Sequence, residues 1–548
     1  MNVSTRTPVI AIGLDAAEVT LVEELCRAGK MPTLQRLRER GRCGLIRSEA
    51  EYFLSTVWPT FSTATNTEYH GWYFNKMWRP DRMRLEYASE EWLGQNPFWE
   101  WPGMEGLRMA ILDLPYTDRP PETFNGAFVC GWQTHDDFGR FWFPAARWRE
   151  LERTFGRPVL RRERFGKQTP ATLLRLRREL LDSQAQIGRI CRSMLQSEAW
   201  DLFLVVIGSL HRGTHYLWDL EQIDHSRLGS EDRRILERSR DDLFVEADRT
   251  VSAILEAAPS DARILVFALH GMTRNDGWAE RFPALVHQIR RDTSPTPPAE
   301  GFLYRWKRRI PWRVIRQFTT RLPTSVNQAL VPIWSARMLD WSRTRFFALP
   351  LDINGYLRVN LRGREAAGIV EPGQEYEELL EELEEAFLSF RAIDTGEQVV
   401  RDVTRTDDIL DPDGPRRQFL PDLIVRFRPI RTQELSGVVS ARYGEIRWTK
   451  GSPLPSGRSG NHLPTGWLVA AGPGIEPGPD LEADSVDIIP TILSWLDADV
   501  PSSANGPGTA RPRTGSDRRS ESDNPGFGVR LERRCGRYEC SSEPGGSI

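Results

Sequence analysis

The sequence predicts an α/β protein built on a mostly parallel central sheet, and three observations carry that prediction. Short continuous apolar runs recur along the chain: VIAIGL (9–14), RMAILDL (108–114), DLFLVVIG (201–208), RILVFAL (263–269), DLIVRF (422–427) and GWLVAAG (466–472). Runs of this length suit strands covered on both faces. Helical patterns fall between them, at 18–28, 32–40, 171–198, 231–257 and 376–391, and such alternation places helices on both sides of a parallel sheet. Residues able to do chemistry follow several of the strand runs, where open α/β sheets bind ligands.

With 548 residues the chain can bury a large core. Its net charge of −3 leaves no nucleic-acid-binding footprint. The six cysteines are scattered, which suits a reduced chain rather than a disulfide scaffold. The opening MNVSTRTPVIAIGLD runs straight into a strand, without a basic region followed by a long apolar stretch. No apolar run approaches the roughly 20 residues that cross a bilayer. A cytoplasmic protein with no membrane span is the expectation. Composition leaves the oligomeric state open.

One catalytic domain is expected over residues 1–500, with two insertions. The stretch 72–170 is aromatic and loop-rich and reads as a cap; 288–344 is basic, with a Pro-rich entry and a solvated helix face. From 501 to 548 the chain turns Ser/Gly/Arg-rich and reads as a disordered tail.

The strand ends hold the informative residues. The first strand ends in Asp15. The third run stops just before His211 and His215, which lie four apart, one helical turn. RILVFAL ends beside His270. A late loop, RSGNHLPTGW, carries His462 before the last run. A strand-end aspartate alone is commonly a helix cap, and a lone buried histidine is commonly just hydrogen-bonded. Together, at one edge of a parallel sheet, a carboxylate and four imidazoles form a ligand set for zinc or a similar divalent transition metal.

The segment FLSTVWPTFSTATNTEYHGW (53–72) supplies a candidate nucleophile. Ser55 and Thr56 follow a short extended stretch, and Pro59 suits the first turn of a helix. Extended backbone turns neighbouring side chains to opposite faces, so only one of the two hydroxyls can meet the ligand set. A hydroxyl at a helix start sees free N–H groups and suits attack on an anionic phosphoryl centre.

In this order the pieces resemble the type I phosphodiesterase/nucleotide pyrophosphatase branch of the alkaline phosphatase superfamily. The early Asp15 is followed by GKMPTLQRLRERG (29–41), matching the family's G.MP.L..L...G. TVWPTFSTATNTEYHG (56–71) matches T..P..HG and aligns Thr56 with the nucleophile. HRGTH (211–215), ALHG (268–271), GNH (460–462) and DIIPTILSWLD (487–497) match the family's D-x-x-x-H, S-D-H-G, G-x-H and D..PT.L segments. The resemblance covers roughly residues 8–500 and implies an alkaline-phosphatase-like fold. It implies a metal-dependent hydrolase acting on small phosphate esters through a phospho-threonine intermediate.

Two positions depart from the pattern. His211 stands where the family has the first Asp of D-x-x-x-H, and Leu269 stands where it has the Asp of S-D-H-G. Carried over, one metal site becomes His211, His215 and His462, expected to hold zinc firmly. The other keeps Asp15, Thr56 and His270 but loses a carboxylate, so it is weak, remade by a group such as Asp276, or empty. GWQTHDDF (131–138), with His135 and Asp136, is the cap segment expected nearest the substrate. Sulfatase chemistry would need a Cys-x-Pro-x-Arg segment, which is absent. A phosphonate hydrolase and a non-catalytic relative that kept one metal are the remaining rivals.

Overall fold

The computed structural model describes residues 6–88, 92–117, 119–133, 141–160, 163, 166–220, 223, 228–293, 331–332, 335–336, 339–350 and 353–501. The expected tail from 502 and most of the basic segment 288–344 lie outside these residues.

Nine strands form the main sheet: β1 (Val9–Leu14), β2 (Arg42–Arg47), β3 (Met109–Leu112), β4 (Gly126–Cys130), β5 (Phe141–Phe143), β6 (Leu202–Ile207), β7 (Arg263–Ala268), β8 (Gly466–Ala471) and β9 (Leu481–Asp484). Their spatial order is β9-β2-β8-β7-β1-β6-β3-β4-β5. The central run β7-β1-β6-β3-β4 is parallel throughout. β8 runs antiparallel to both β7 and β2, and β5 antiparallel to β4.

Every residue of β1 and β6 is buried, and the two-residue side-chain period divides them between two cores. Ile10, Ile12 and Leu14 of β1, with Phe203, Val205 and Ile207 of β6, face one core. That core is closed by the helices α1 (Val19–Arg27), α2 (Pro32–Arg40), α4 (Pro170–Ser197), α5 (Ser209–Leu217) and α6 (Ser239–Leu255). Val9, Ala11, Leu202, Leu204 and Val206 face the other, closed by α3 (Val57–Thr63) and α9 (Ile488–Trp495). The unbroken apolar runs read from the sequence are therefore strands covered on both sides.

A second layer departs from the expected order. DLIVRF (422–427) does not join the parallel sheet. Its strand Leu423–Phe427 lies in a separate antiparallel sheet with Phe346–Ala348, Gly355–Val359 and Val400–Arg405. The helices α7 (Trp278–Thr293) and α8 (Gln374–Leu388) pack on it through Phe282, Leu285, Leu383 and Phe387. An apolar run alone does not reveal which sheet a strand enters. The stretch 72–170 is likewise more than a cap, since β3, β4 and β5 all come from it. The helix read at 231–257 is two, Ser230–Glu237 and α6, joined at Arg238.

Candidate metal centre

β1, β6 and β7 run parallel, so their carboxyl ends lie at one edge. Asp15 follows β1, α5 begins just after β6, and His270 follows β7. β8 is antiparallel to β7, so the segment entering it starts from the same edge. His462 is delivered there by a short strand rather than the expected loop. Gly460–Leu463 pairs antiparallel with Gly271–Arg274, setting His462 opposite Met272. This segment docks on α5 through the Ser459 N–H, which donates to the His215 carbonyl at 2.7 Å. Gly460 permits the contact, because a Cβ there would lie 2.2 Å from the Thr214 carbonyl oxygen.

The structure thus brings Asp15, His211, His215, His270 and His462 together. The ring centroids of His211, His215 and His462 lie 4.6 to 4.9 Å apart, and His270 lies 4.9 Å from His462. Two groups have ligand atoms within 4.8 Å of one another: His211, His215 and His462, and Asp15, His211 and His270. His211 belongs to both, whereas the carried-over pattern placed it in one.

Proton positions follow from the partners. His211 Nδ1 lies 2.8 Å from Asp15 Oδ2, and a carboxylate only accepts, so this nitrogen carries the hydrogen. His215 Nδ1 lies 3.0 Å from the Gly460 carbonyl and donates to it. Each neutral ring then turns a lone pair outward from Nε2, and these two nitrogens are 3.1 Å apart. A shared proton or a cation must relieve that contact. The third ring favours the cation: His462 Nδ1 is buried with no hydrogen-bond partner among the described residues. About 3.3 Å separates neighbouring ligand nitrogens around a tetrahedral ion with bonds of ~2.0 Å, close to the observed spacing. Burial pushes the proton affinity of His215 well below the ordinary imidazole value, and the Arg458 guanidinium adds to the effect. For His462 burial again comes first, followed by the other rings. Both stay neutral, the form that binds metal. Burial also works to raise the Asp15 carboxyl, but His211 and His270 outweigh it and hold it far below the usual range.

Thr56 precedes by two residues the tryptophan that reaches this cluster. Leu54–Thr56 forms a 3-10 turn, not the expected extended stretch, and Thr56 heads α3 with helical backbone angles. Its buried hydroxyl donates to the Phe53 carbonyl at 2.6 Å instead of capping the helix. The link to the centre is Trp58, which sequence reasoning missed. Its indole N–H donates to Asp15 Oδ1 at 3.1 Å. Its ring lies across Gly13, where a Cβ would meet Trp58 Cη2 at 3.1 Å. The motif T-x-W-P held that signal. Arg458 was missed too; it donates to Glu163, which also accepts from the Tyr216 hydroxyl.

The structure does not bring the remaining candidates to the centre. Leu269 is buried in the apolar core with Val57, Trp58 and Phe61. Asp276 caps α7, its Oδ1 accepting the Trp278 N–H at 3.1 Å, and joins neither ligand group. His135 and Asp136 lie outside the described residues.

No curated protein matches the chain significantly. Solved structures with a similar chain course include phosphonoacetate hydrolase from Sinorhizobium meliloti 1021, at 13% identity and a TM-score of 0.46. Human ectonucleotide pyrophosphatase/phosphodiesterase 5 is similar at 12% identity, also with a TM-score of 0.46. In both cases the likeness covers 90% of this chain and 96% of the other. The profile of the type I phosphodiesterase/nucleotide pyrophosphatase family matches residues 9–429, most of the chain. The chain therefore belongs to that family of phosphoric ester hydrolases.

Proposed function

We propose that the chain hydrolyses small-molecule phosphate esters with the help of a divalent transition metal, zinc first, through a covalent intermediate on Thr56. The observation that carries the metal reading is the facing of two imidazole lone pairs at 3.1 Å beside a third ring whose Nδ1 has no partner among the described residues. Three neutral imidazoles with an open position suit a catalytic zinc-type ion. When bound, such an ion supplies positive charge that lowers the pKa of a nearby hydroxyl and offsets charge on the phosphoryl oxygens.

The protein's own residues do the rest. Trp58 ties the start of α3 to Asp15, and Thr56 lies two residues before it, which supports a place for its hydroxyl near the ligand cluster. The Thr56 hydroxyl turns away from the Phe53 carbonyl, loses its proton to solvent water and forms a bond to phosphorus. The ester oxygen leaves with its bonding pair, and water then displaces Thr56. Arg458, held by Glu163, keeps positive charge beside His215 and His462 and disfavours their protonation. A cytoplasmic location fits the described cysteines, Cys26, Cys43, Cys130 and Cys191, which are all free thiols.

The test is a screen of phosphodiester, phosphomonoester and phosphonate substrates, with the trapped intermediate mapped by mass spectrometry. Phosphoryl mass on Thr56 is the expected result; phosphoryl mass on Ser55 overturns the assignment. A non-catalytic metal-binding relative is the second reading, favoured by Leu269, which fills with hydrocarbon a position that the family gives to a carboxylate. Absence of turnover on every substrate class, with the metal bound, supports that reading.

A further inference from the structure

We infer that the chain holds a single ion, at His211, His215 and His462, and that Asp15 serves as the carboxylate that orients His211 rather than as a ligand to a second ion. This rests on the metal reading of the same centre.

A neutral imidazole has one nitrogen lone pair to give. His211 presents Nε2 toward His215 at 3.1 Å, so its Nδ1 carries the hydrogen that Asp15 Oδ2 accepts at 2.8 Å. This is the carboxylate–histidine–metal arrangement, in which an outer carboxylate fixes the tautomer and orientation of a ligand ring. His211 therefore cannot also serve a second ion in the group Asp15, His211 and His270, although the three ligand atoms are close.

The remaining donors around a second position are few. Asp15 Oδ1 already accepts the Trp58 indole N–H at 3.1 Å and faces His270 Nε2 at 3.3 Å. The indole nitrogen can only donate, so an ion bound at Oδ1 competes with it. Leu269 offers nothing, and its side chain fills the core beside Trp58. The Thr56 hydroxyl is turned to the Phe53 carbonyl. His270 has Nδ1 3.3 Å from the Gly271 carbonyl and Nε2 3.3 Å from Asp15 Oδ1, so it has one lone pair to offer. Among the described residues no set of three free donors surrounds a second position, whereas a zinc-type catalytic site takes three protein ligands. The substitution of histidine for aspartate at 211 and the leucine at 269 then belong together. The ring of His211 reaches Asp15 by hydrogen bond, giving that carboxylate a positive-edged partner without a second cation.

The experiment is a metal titration of the full-length protein. Chelator-stripped wild type is titrated with Zn²⁺ against a chromophoric competitor, and ions per chain are counted by elemental analysis. Co²⁺ loading adds the visible ligand-field spectrum. The expected result is one ion per chain in wild type. Asp15→Asn should still bind one ion, about 10- to 100-fold more weakly, the range seen when an outer partner of a ligating histidine is lost. Its Co²⁺ bands should keep the wild-type coordination pattern. Two ions per chain in wild type, or one ion fewer in Asp15→Asn than in wild type, overturns the inference and leaves the proposed hydrolysis standing. No bound ion at all overturns both. The wild-type count decides the question even if the variant fails to fold.

Discussion

Two buried charged clusters in this molecule have similar seclusion and opposite hydrogen-bond accounting. In the second layer Arg358 is fully buried, with Nε on Glu365 at 2.6 Å and its other nitrogens on the Leu420 and Gln418 carbonyls. Arg364 grips Asp422 with two bonds of 2.6 and 2.8 Å, while Asp422 also accepts the Val359 N–H and the Tyr376 hydroxyl. Two cations meet two anions, and the geometry closes on itself. At the candidate metal centre one carboxylate sits with four imidazoles, two nitrogens face each other, and a third has no partner among the described residues. A cluster that serves folding uses up its donors and acceptors. One that serves binding leaves lone pairs aimed at a common point, and the apo fold bears the cost.

The widest separation between the clusters comes from removing ligands. His215→Ala and His462→Ala should each abolish tight metal binding and turnover. The melting temperature of the metal-free protein should hold or rise, because an unsatisfied contact has been removed; elemental analysis and calorimetry check both. A sharp loss of stability in the stripped variants would make the cluster structural, like that around Arg358.

Next in size is Thr56→Ala, which should lower turnover by on the order of 10⁶, the scale for losing a covalent nucleophile, with metal content unchanged. Ser55→Ala should cost little in rate. Steady-state kinetics on the best substrate from the screen separates the two.

The folding cluster should answer in the opposite way. Asp422→Ala leaves two buried guanidinium groups to share the single carboxylate of Glu365 and should destabilise the fold by about 3–5 kcal/mol, read by urea unfolding. Metal per folded chain should stay at the wild-type value.

A smaller effect tests a third kind of buried group. His70 is buried, accepts the Trp72 N–H at Nδ1 and so donates from Nε2 to Thr60 Oγ1. Burial pushes its pKa down to about 3. The folded state then binds fewer protons than the unfolded state between about pH 6.5 and 3. Its contribution to stability is complete above the unfolded pKa and is lost as pH falls, by up to ~1.4 kcal/mol per pH unit. His70→Gln should flatten that part of the stability profile, measured by denaturant unfolding of metal-free protein.

By itself the sequence determined the main strands, the helices that cover them and the residue types that gather at the sheet edge. Continuous apolar runs, a strand-end aspartate and two histidines one turn apart are local signals, because backbone periodicity fixes where their side chains go. The departures at His211 and Leu269 were equally plain on reading. What only the tertiary structure decided is how the lone pairs are shared. His211 and Asp15 are 196 positions apart in the chain, and His215 and Gly460 are 245 apart, yet these two contacts set both tautomers. The same holds for the turn of the Thr56 hydroxyl toward Phe53, for Trp58 on Asp15, and for the sheet that Leu423–Phe427 joins. Periodicity carries no information about the direction of a hydrogen bond or about which distant strand completes a sheet edge. Those are settled only when the packed chain brings the partners within about 3 Å, the reach of a hydrogen bond.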